Sequence, residues 1–492
     1  MSVTGGRARR TCAALVAVAL LVTTQACTGG ETADPPAAAV EAQQPDEALT
    51  VVADDTAAAR AVSVSRLLYA RSAVVVLTPQ DRAAELADVA REHGVPLLAS
   101  GSPGLADELD RLGTESAVVL GEPQPDLGVD VVAAATADDV VRQLTDLLPT
   151  ADPAAPGEGL VILTRDAGAD VLALATAGQA EVVAVPSGDP RTDPAVVQRL
   201  RSLGDRPAVV LGPGWPDPAY TVQVARTAEE LPGGGHTIFP GRHVVALYGS
   251  PDTPALGVLG EQDPAAAVVR TQQTVDQYAP LSDRPVVGAF EIIVTIADAD
   301  AGPDGDYSRE LPVETIRPWV DAAGEAGMYV ILDLQPGRTD FLTQAKRYTD
   351  LLLEPHVGLA LDPEWRLGPD QVHLRQFGSV TGAEADAVAA WLADLTREND
   401  LPQKMFVLHQ FAASMITNRE VIRTDRPELQ VVVHVDGQGT PGGKVGTWNL
   451  LRQGADPALA WGWKNFFDED RPMLTPEQTW AVQPRPDLVT YQ

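Results

Sequence analysis

Met328-Tyr-Val-Ile-Leu-Asp-Leu-Gln335 and Val357-Gly-Leu-Ala-Leu-Asp-Pro-Glu364 are short apolar runs that each break into a polar pair spaced by two. Near-continuous apolar runs of this length suit strands covered on both faces, as in parallel sheets. Side chains two apart on a strand share a face, so Asp333 points with Gln335 and Asp362 with Glu364. Working outward, the pattern repeats. Further strand-like runs cover 243–249, 286–297, 404–410, 430–435 and 459–463. Helical stretches over 264–278, 313–326, 341–353 and 383–398 lie between most of them. Seven βα-like steps across 243–492 predict a (β/α)8-like barrel with one strand weak or lost. An open doubly wound sheet is the competing architecture, because periodicity alone does not close a barrel.

Two more strands end in the same spaced manner, one in His434, Asp436 and Gln438, the other in Trp461, Trp463 and Asn465. In barrel enzymes the C-terminal strand ends form the active-site face. Asp333, Asp362, Glu364 and Asp436 are therefore expected in one cleft, where neighbouring carboxylates raise one another's pKa. A raised acid beside an ionised carboxylate is the equipment for glycosidic bond cleavage. Trp461 and Trp463 offer flat faces for sugar rings, and Tyr248, His409, Gln410 and His434 are the expected polar contacts. Plainer readings compete for several of these. Asp333 in Asp-Leu-Gln-Pro-Gly can simply cap a turn, and Glu291, mid-strand, can pair with Lys464 or an arginine inside the barrel. His409 and His434 read as hydrogen-bonded interior histidines rather than metal ligands, since no H-x-H or H-E-x-x-H spacing occurs. No cofactor is expected.

From 49 to 235 short Val/Leu strands alternate with Ala-rich helical stretches. Val75-Val-Leu-Thr78 returns as Val161-Ile-Leu-Thr164, 86 residues on, and Ala117-Val-Val-Leu-Gly121 returns as Ala208-Val-Val-Leu-Gly212, 91 residues on. Two similar offsets in the same order predict a duplicated α/β unit with parallel strands. The order strand, helix, Gly94-Val-Pro-Leu-Leu98, helix ending Leu109-Asp-Arg-Leu-Gly113, then V-V-L-G resembles the cell wall-binding repeat 2 family, over about 66–125 and more weakly 159–214. That resemblance implies association with wall polymers.

In the C-terminal half, Leu361-Asp-Pro-Glu-Trp365 resembles the D-x-E of lysozyme-like muramidases and related barrel glycosidases. It implies a proton-donor role for Glu364 and a supporting role for Asp362, with Asp333 or Asp436 opposite as base or nucleophile. The domain, with Gly337-Arg-Thr-Asp-Phe341 and His434-Val-Asp-Gly-Gln-Gly439, also resembles glycoside-hydrolase-like TIM-barrel domains of exported actinobacterial-type lipoproteins.

Residues 1–26 read as a secretory signal: Arg7, Arg9 and Arg10, then an apolar run over 13–22. That run falls short of the roughly 20 residues needed to span a bilayer. Thr24-Gln-Ala-Cys27 resembles a lipobox, which implies acylation of Cys27 and a membrane anchor; cleavage near Ala26 with secretion is the alternative. Residues 27–48 lack the apolar content to fold and read as a flexible tether. Cys12 and Cys27 are the two cysteines of the 492 residues, so the folded part has neither disulfide nor thiol nucleophile. A net charge of −32 repels phosphate backbones, which argues against nucleic acid as a partner. The combined expectation is an extracytoplasmic, lipid-anchored protein whose barrel acts on an envelope glycan. A non-catalytic carbohydrate or cell-wall binding protein is the alternative, and a metal-dependent hydrolase using the Asp/His cluster is a third.

Overall fold

The computed structural model describes residues 39–122, 127–148, 159–165, 173 and 175–492, so the expected export signal and Cys27 lie outside the described residues. The N-terminal sheets are carried by β1 (Leu49–Val52), β2 (Val74–Thr78), β3 (Leu97–Ala99), β4 (Ser116–Leu120), β5 (Asp130–Ala134), β6 (Val161–Thr164), β7 (Glu181–Ala184) and β8 (Ala208–Leu211). They form two parallel four-stranded sheets, ordered β3-β2-β4-β5 and β7-β6-β8-β1. The duplication predicted from the repeated strings is visible in this order. β2 and β6 occupy equivalent places, as do β4 and β8, and the repeated strings lie on those pairs. The fourth place differs: β5 follows its sheet in sequence, whereas β1 reaches the other sheet from the N-terminal side.

The 27–48 stretch, expected to be flexible throughout, departs from that expectation at Val40–Ala42, which pairs antiparallel with Tyr69–Ser72. Main-chain groups make that pairing, with Ala73 N–H also donating to Ala39 O at 2.7 Å, so a shortage of apolar side chains does not forbid it.

The C-terminal half is a closed barrel. β9 (His243–Gly249), β10 (Val286–Ala297), β11 (Tyr329–Leu334), β12 (Val357–Leu361), β13 (Lys404–His409), β14 (Leu429–Val435), β15 (Ala460–Asn465) and β16 (Leu488–Tyr491) follow one another round it, all parallel. β9 pairs with both β10 and β16, which completes the ring and excludes the open sheet. The weak strand of the sequence pattern is β16. Its four residues follow Pro484 and Pro486, and a run this short carries no periodicity to read.

Alternation along each strand sorts the barrel into two cores. Outward side chains such as Leu247, Phe290, Leu332, Leu359 and Leu408 pack with helix residues including Val275, Ile316, Trp319, Val388 and Leu392. These helices start at side-chain caps that satisfy otherwise free backbone N–H groups. Asp263 accepts from Ala266 N ahead of Pro264–Tyr278, and Thr381 from Glu384 N ahead of Gly382–Glu398. Inward side chains, among them Val244, Ala289, Tyr329, Ile331, Met405 and Val432, fill the lower barrel, joined by Leu231, Ile238 and Phe239 from the preceding segment. Gly358 makes room here, for a Cβ at that position would stand 2.9 Å from the Tyr329 hydroxyl and 2.6 Å from Met405 O. The lower barrel is thus a packed core, and any chemistry must sit above it.

Closure through β16 yields a test. Deleting residues 488–492 leaves the edges of β9 and β15 unpaired, and such edges aggregate. The truncated chain should lose its cooperative thermal transition and elute as aggregate in size-exclusion chromatography. A monomeric truncation melting like the full chain would show that β16 does not close a structural ring.

Candidate active site

Above the apolar layers the inward face turns polar on every strand. Tyr248 (β9), Glu291 (β10), Asp333 (β11), His409 (β13), His434 (β14), Lys464 (β15) and Thr490 (β16) are buried there, with Asp362 one residue past β12. Strand alternation dictates this placement. Ala246, Ala289, Ile331, Ala360, Val407, Val432 and Leu488 are inward, and each precedes its polar residue by two. Ala460 precedes Lys464 by four, with Gly462 between.

His409 is the hub. Its Nδ1 lies 2.9 Å from Asp436 Oδ2 and its Nε2 lies 2.8 Å from Glu291 Oε1, with Asp333 Oδ1 at 3.8 Å. Burial works against a charge on this ring, yet Asp333, Glu291 and the two hydrogen bonds hold its pKa well above the usual histidine value. His409 is therefore an imidazolium that donates from both nitrogens. Its charge is shared by two carboxylates, each held ionised. Burial is the largest influence on Asp436 and opposes its charge, but the hydrogen bond from His409 together with the His409 and Lys464 charges outweighs it, and the carboxyl stays below its usual range. Glu291 is likewise lowered against burial by the imidazoles of His434 and His409. Of those two rings, the one at 2.8 Å carries the proton; His434 Nδ1 stands 3.8 Å from the same oxygen.

His434 is the neutral counterpart. Burial takes its pKa down to about 3, against the pull of Glu291 and with the help of the His409 charge. Its Nε2 pairs with Thr490 Oγ1 at 2.9 Å, and its ring packs over Gly462, where a Cβ would stand 2.5 Å from Cδ2. On the other side Tyr248 donates its hydroxyl to Asp333 Oδ2 at 2.7 Å, and the Lys464 cation lies 3.4 Å from the centre of the Tyr248 ring. Burial raises Asp333, as it does Asp362, whose carboxyl is pushed well above the usual range, burial first and the Glu364 charge second.

Exposure grades these groups. Glu291, Asp333, His409 and His434 are wholly enclosed and Asp362 is 2 % exposed, whereas Asp436 is 8 % exposed and Glu364 is half-buried at the mouth. A ligand entering from the C-terminal face thus meets Glu364 and Asp436 first. Asp362 supports Glu364 locally, its Oδ1 accepting from Glu364 N at 3.3 Å. The Glu364 carboxyl is pushed up to about 7, by burial and then by the Asp436 charge. Asp436 Oδ1 is buried and has no hydrogen-bond partner among the described residues.

Of the residues chosen from sequence, the structure gathers Tyr248, Asp333, Asp362, Glu364, His409, His434 and Asp436 on one face. Three others turn away. Trp461 and Trp463 pack with Val433, Val435 and Trp448 on the outer wall, in register with outward Val433 and Val435. The spacing of two put both tryptophans on one face correctly; the odd positions of β15 are the outer ones, and Lys464 is the inward residue. Gln410, next to inward His409, points outward, donates to Ala412 O at 3.1 Å and accepts from Arg419 at 2.6 Å. It borders a cavity of about 840 Å3 outside the wall, between outward Leu408 and Val431, where no barrel-length helix follows β13. Volume alone would misplace the site, since the titratable groups are inside the wall. Glu291, Lys464 and Thr490 complete the ring; the sequence suggests Glu291 and Lys464 only as an ion pair, whereas Glu291 takes His409 as its partner. Lys464, a lone charge inside Trp-Gly-Trp-Lys-Asn, had a legible signal; Thr490 sits on the unread strand.

Two triplets, Glu291–His409–His434 and Asp362–His409–Asp436, bring ligand-type atoms within 4.8 Å of one another. Both share His409, whose nitrogens already face carboxylates at hydrogen-bonding distance, so a divalent ion there would first have to displace one of them. Comparison with protein-family models and with curated proteins finds no match to this chain.

The hub predicts a stability effect. His409→Ala leaves Glu291 and Asp436 buried without their cation and should cost about 3–5 kcal/mol. The raised folded pKa means the His409 contribution is fully present below about pH 6.5, its unfolded value, and is lost as pH rises through the higher folded value. Urea denaturation of both proteins across that range checks it. Equal midpoints at pH 6 would show that His409 holds no charge there.

Proposed function

We propose that this is an exported, lipid-anchored envelope protein whose barrel hydrolyses a glycosidic bond, with Glu364 as general acid and Asp436 as the opposing base or nucleophile. The observation that carries the reading is the division between these two carboxyls. Glu364, pushed up to about 7, keeps its proton to near neutrality, while Asp436, bonded to His409, stays ionised. Glu364 is half-buried and Asp436 is 8 % exposed, and this reading sets the scissile bond between them. Asp333 and Asp362, raised and enclosed, then act from behind, by holding Tyr248 and the Glu364 backbone. Residues 1–27 supply export and the anchor in this reading, and the duplicated N-terminal sheets associate with the wall, as the strings at 94–98 and 109–113 suggest.

The test is release of reducing ends from peptidoglycan and a panel of wall glycans. Glu364→Gln removes the proton and little volume, so it should abolish hydrolysis while keeping the fold and glycan binding. The wild-type rate should fall above about pH 7, where Glu364 loses its proton, and again in acid as Asp436 takes one up below the usual aspartate range. Glycan bound by wild type without any release would instead assign a binding protein.

A further inference from the structure

Lys464 is 3 % exposed, yet its ammonium makes no hydrogen bond and no ion pair among the described residues. Its neighbours are all turned elsewhere. Asp436 and Glu291 face His409, Asp333 accepts from Tyr248, and Thr490 pairs with His434. What remains is the Tyr248 ring, whose face attracts the charge but leaves the three N–H donors without an oxygen. Nor is the ammonium sealed off. The unpaired Oδ1 atoms of Asp333 and Asp436, Oε2 of Glu291 and Nδ1 of His434 are shut away from solvent, but Lys464 Nζ is not.

Strand register fixes where those donors stand. Trp463 lies beside Val435, so Lys464 comes level with Asp436 one strand away, about 4.8 Å along the wall. The Glu364 carboxyl, raised by burial and by the Asp436 charge, is pulled back by Lys464, so the ammonium is within electrostatic reach of the acid as well. A group that meets Glu364 and Asp436 therefore comes to Lys464 too. Packing alone would be served here by an apolar residue, as Ala460 serves lower on the same strand. An ammonium withdrawn from water without an acceptor is costly. Attraction to the ionised Asp436 and Glu291 holds the charge in place, and the donors stay open for an oxygen from outside the protein.

We propose that Lys464 is a specificity residue that receives a carboxylate carried by the sugar facing Asp436, so that the glycan taken by this barrel contains an acidic sugar. The inference rests on the glycosidic reading and adds the substrate class. Hydrogen bonds from an ammonium to a carboxylate are about twice as strong as those between neutral groups, so a carboxylate fills these donors better than a hydroxyl. Asp333, Asp362 and Glu364 are each raised by burial, which weakens the like charge that an incoming carboxylate meets. The net charge of −32 acts at longer range and is screened beyond about 8 Å at physiological salt, so contact inside the barrel decides. Hexuronates and lactyl ethers both present such a group.

The experiment is calorimetric binding to full-length Glu364→Gln, which keeps substrates intact, at about 0.15 M salt. A hexuronate arm sets oligogalacturonate against its methyl ester and oligoglucuronate against β-1,4-glucose oligomers. A lactyl arm sets N-acetylmuramate against N-acetylglucosamine. In one arm the acidic member should bind about tenfold tighter than its neutral partner, and that arm names the source of the carboxylate. Lys464→Met and Lys464→Gln, each added to Glu364→Gln, should abolish the preference. Equal or weaker binding of the acidic member in both arms, a preference that survives in either folded Lys464 variant, or binding of no probe overturns the proposal. The preference is read first on Glu364→Gln alone, so its absence there is decisive whatever the Lys464 variants do. Release of reducing ends by wild type is scored separately, so the acid/base reading survives or falls on its own.

Discussion

A carboxylate taken out of water must find a cation or a proton, and this barrel withdraws five acidic side chains at one level. His409 and Lys464 supply the cations, the first between Asp436 and Glu291 and the second over the Tyr248 ring. Those two positive charges balance the ionised Asp436 and Glu291. Burial instead raises the carboxyls of Asp333 and, further, of Asp362. Burial is the largest single influence on each of these carboxyls, and position relative to His409 decides which of them is lowered against it. The arrangement needs each strand in register, because a slip of one residue would turn its polar side chain to the outer wall. Gly462 shows how tight the fit is, with the His434 ring occupying the space a Cβ would take.

Function follows from where that balance runs out. Deep in the layer Glu291 faces His409, and Asp333 accepts the Tyr248 hydroxyl. At the mouth Glu364 has the Asp436 charge nearby and no ion-pair partner among the described residues. Its proton is therefore retained to near neutral pH and is available to a leaving group. The lower barrel, packed with Tyr329, Ile331, Met405 and Val432, blocks passage and gives the layer a rigid floor.

Much of this was legible in the sequence, for a definite reason. Period-two alternation in apolar runs gave seven of the barrel strands and the residues at their ends, including Asp333, Asp362, Glu364, His434 and Asp436. The runs failed where alternation cannot speak. β16 is too short to show a period, so Thr490 stayed hidden. On β15, alternation groups Trp461 with Trp463 but does not say which group faces in; the Lys464 charge amid tryptophans settles that only once the ring of partners is known. Likewise Val40–Ala42 pairs through its backbone, to which composition is blind.

The most direct test of the account is the ionisation of Glu364 itself. Carbon-13 labelling of glutamate side chains, with Glu364→Gln to assign the signal, gives its titration midpoint by nuclear magnetic resonance. A midpoint near 7 is predicted, with the Asp436 carboxyl already ionised at that pH. A midpoint near the ordinary glutamate value of about 4.3 would contradict it, because the mouth would then hold no acid to donate.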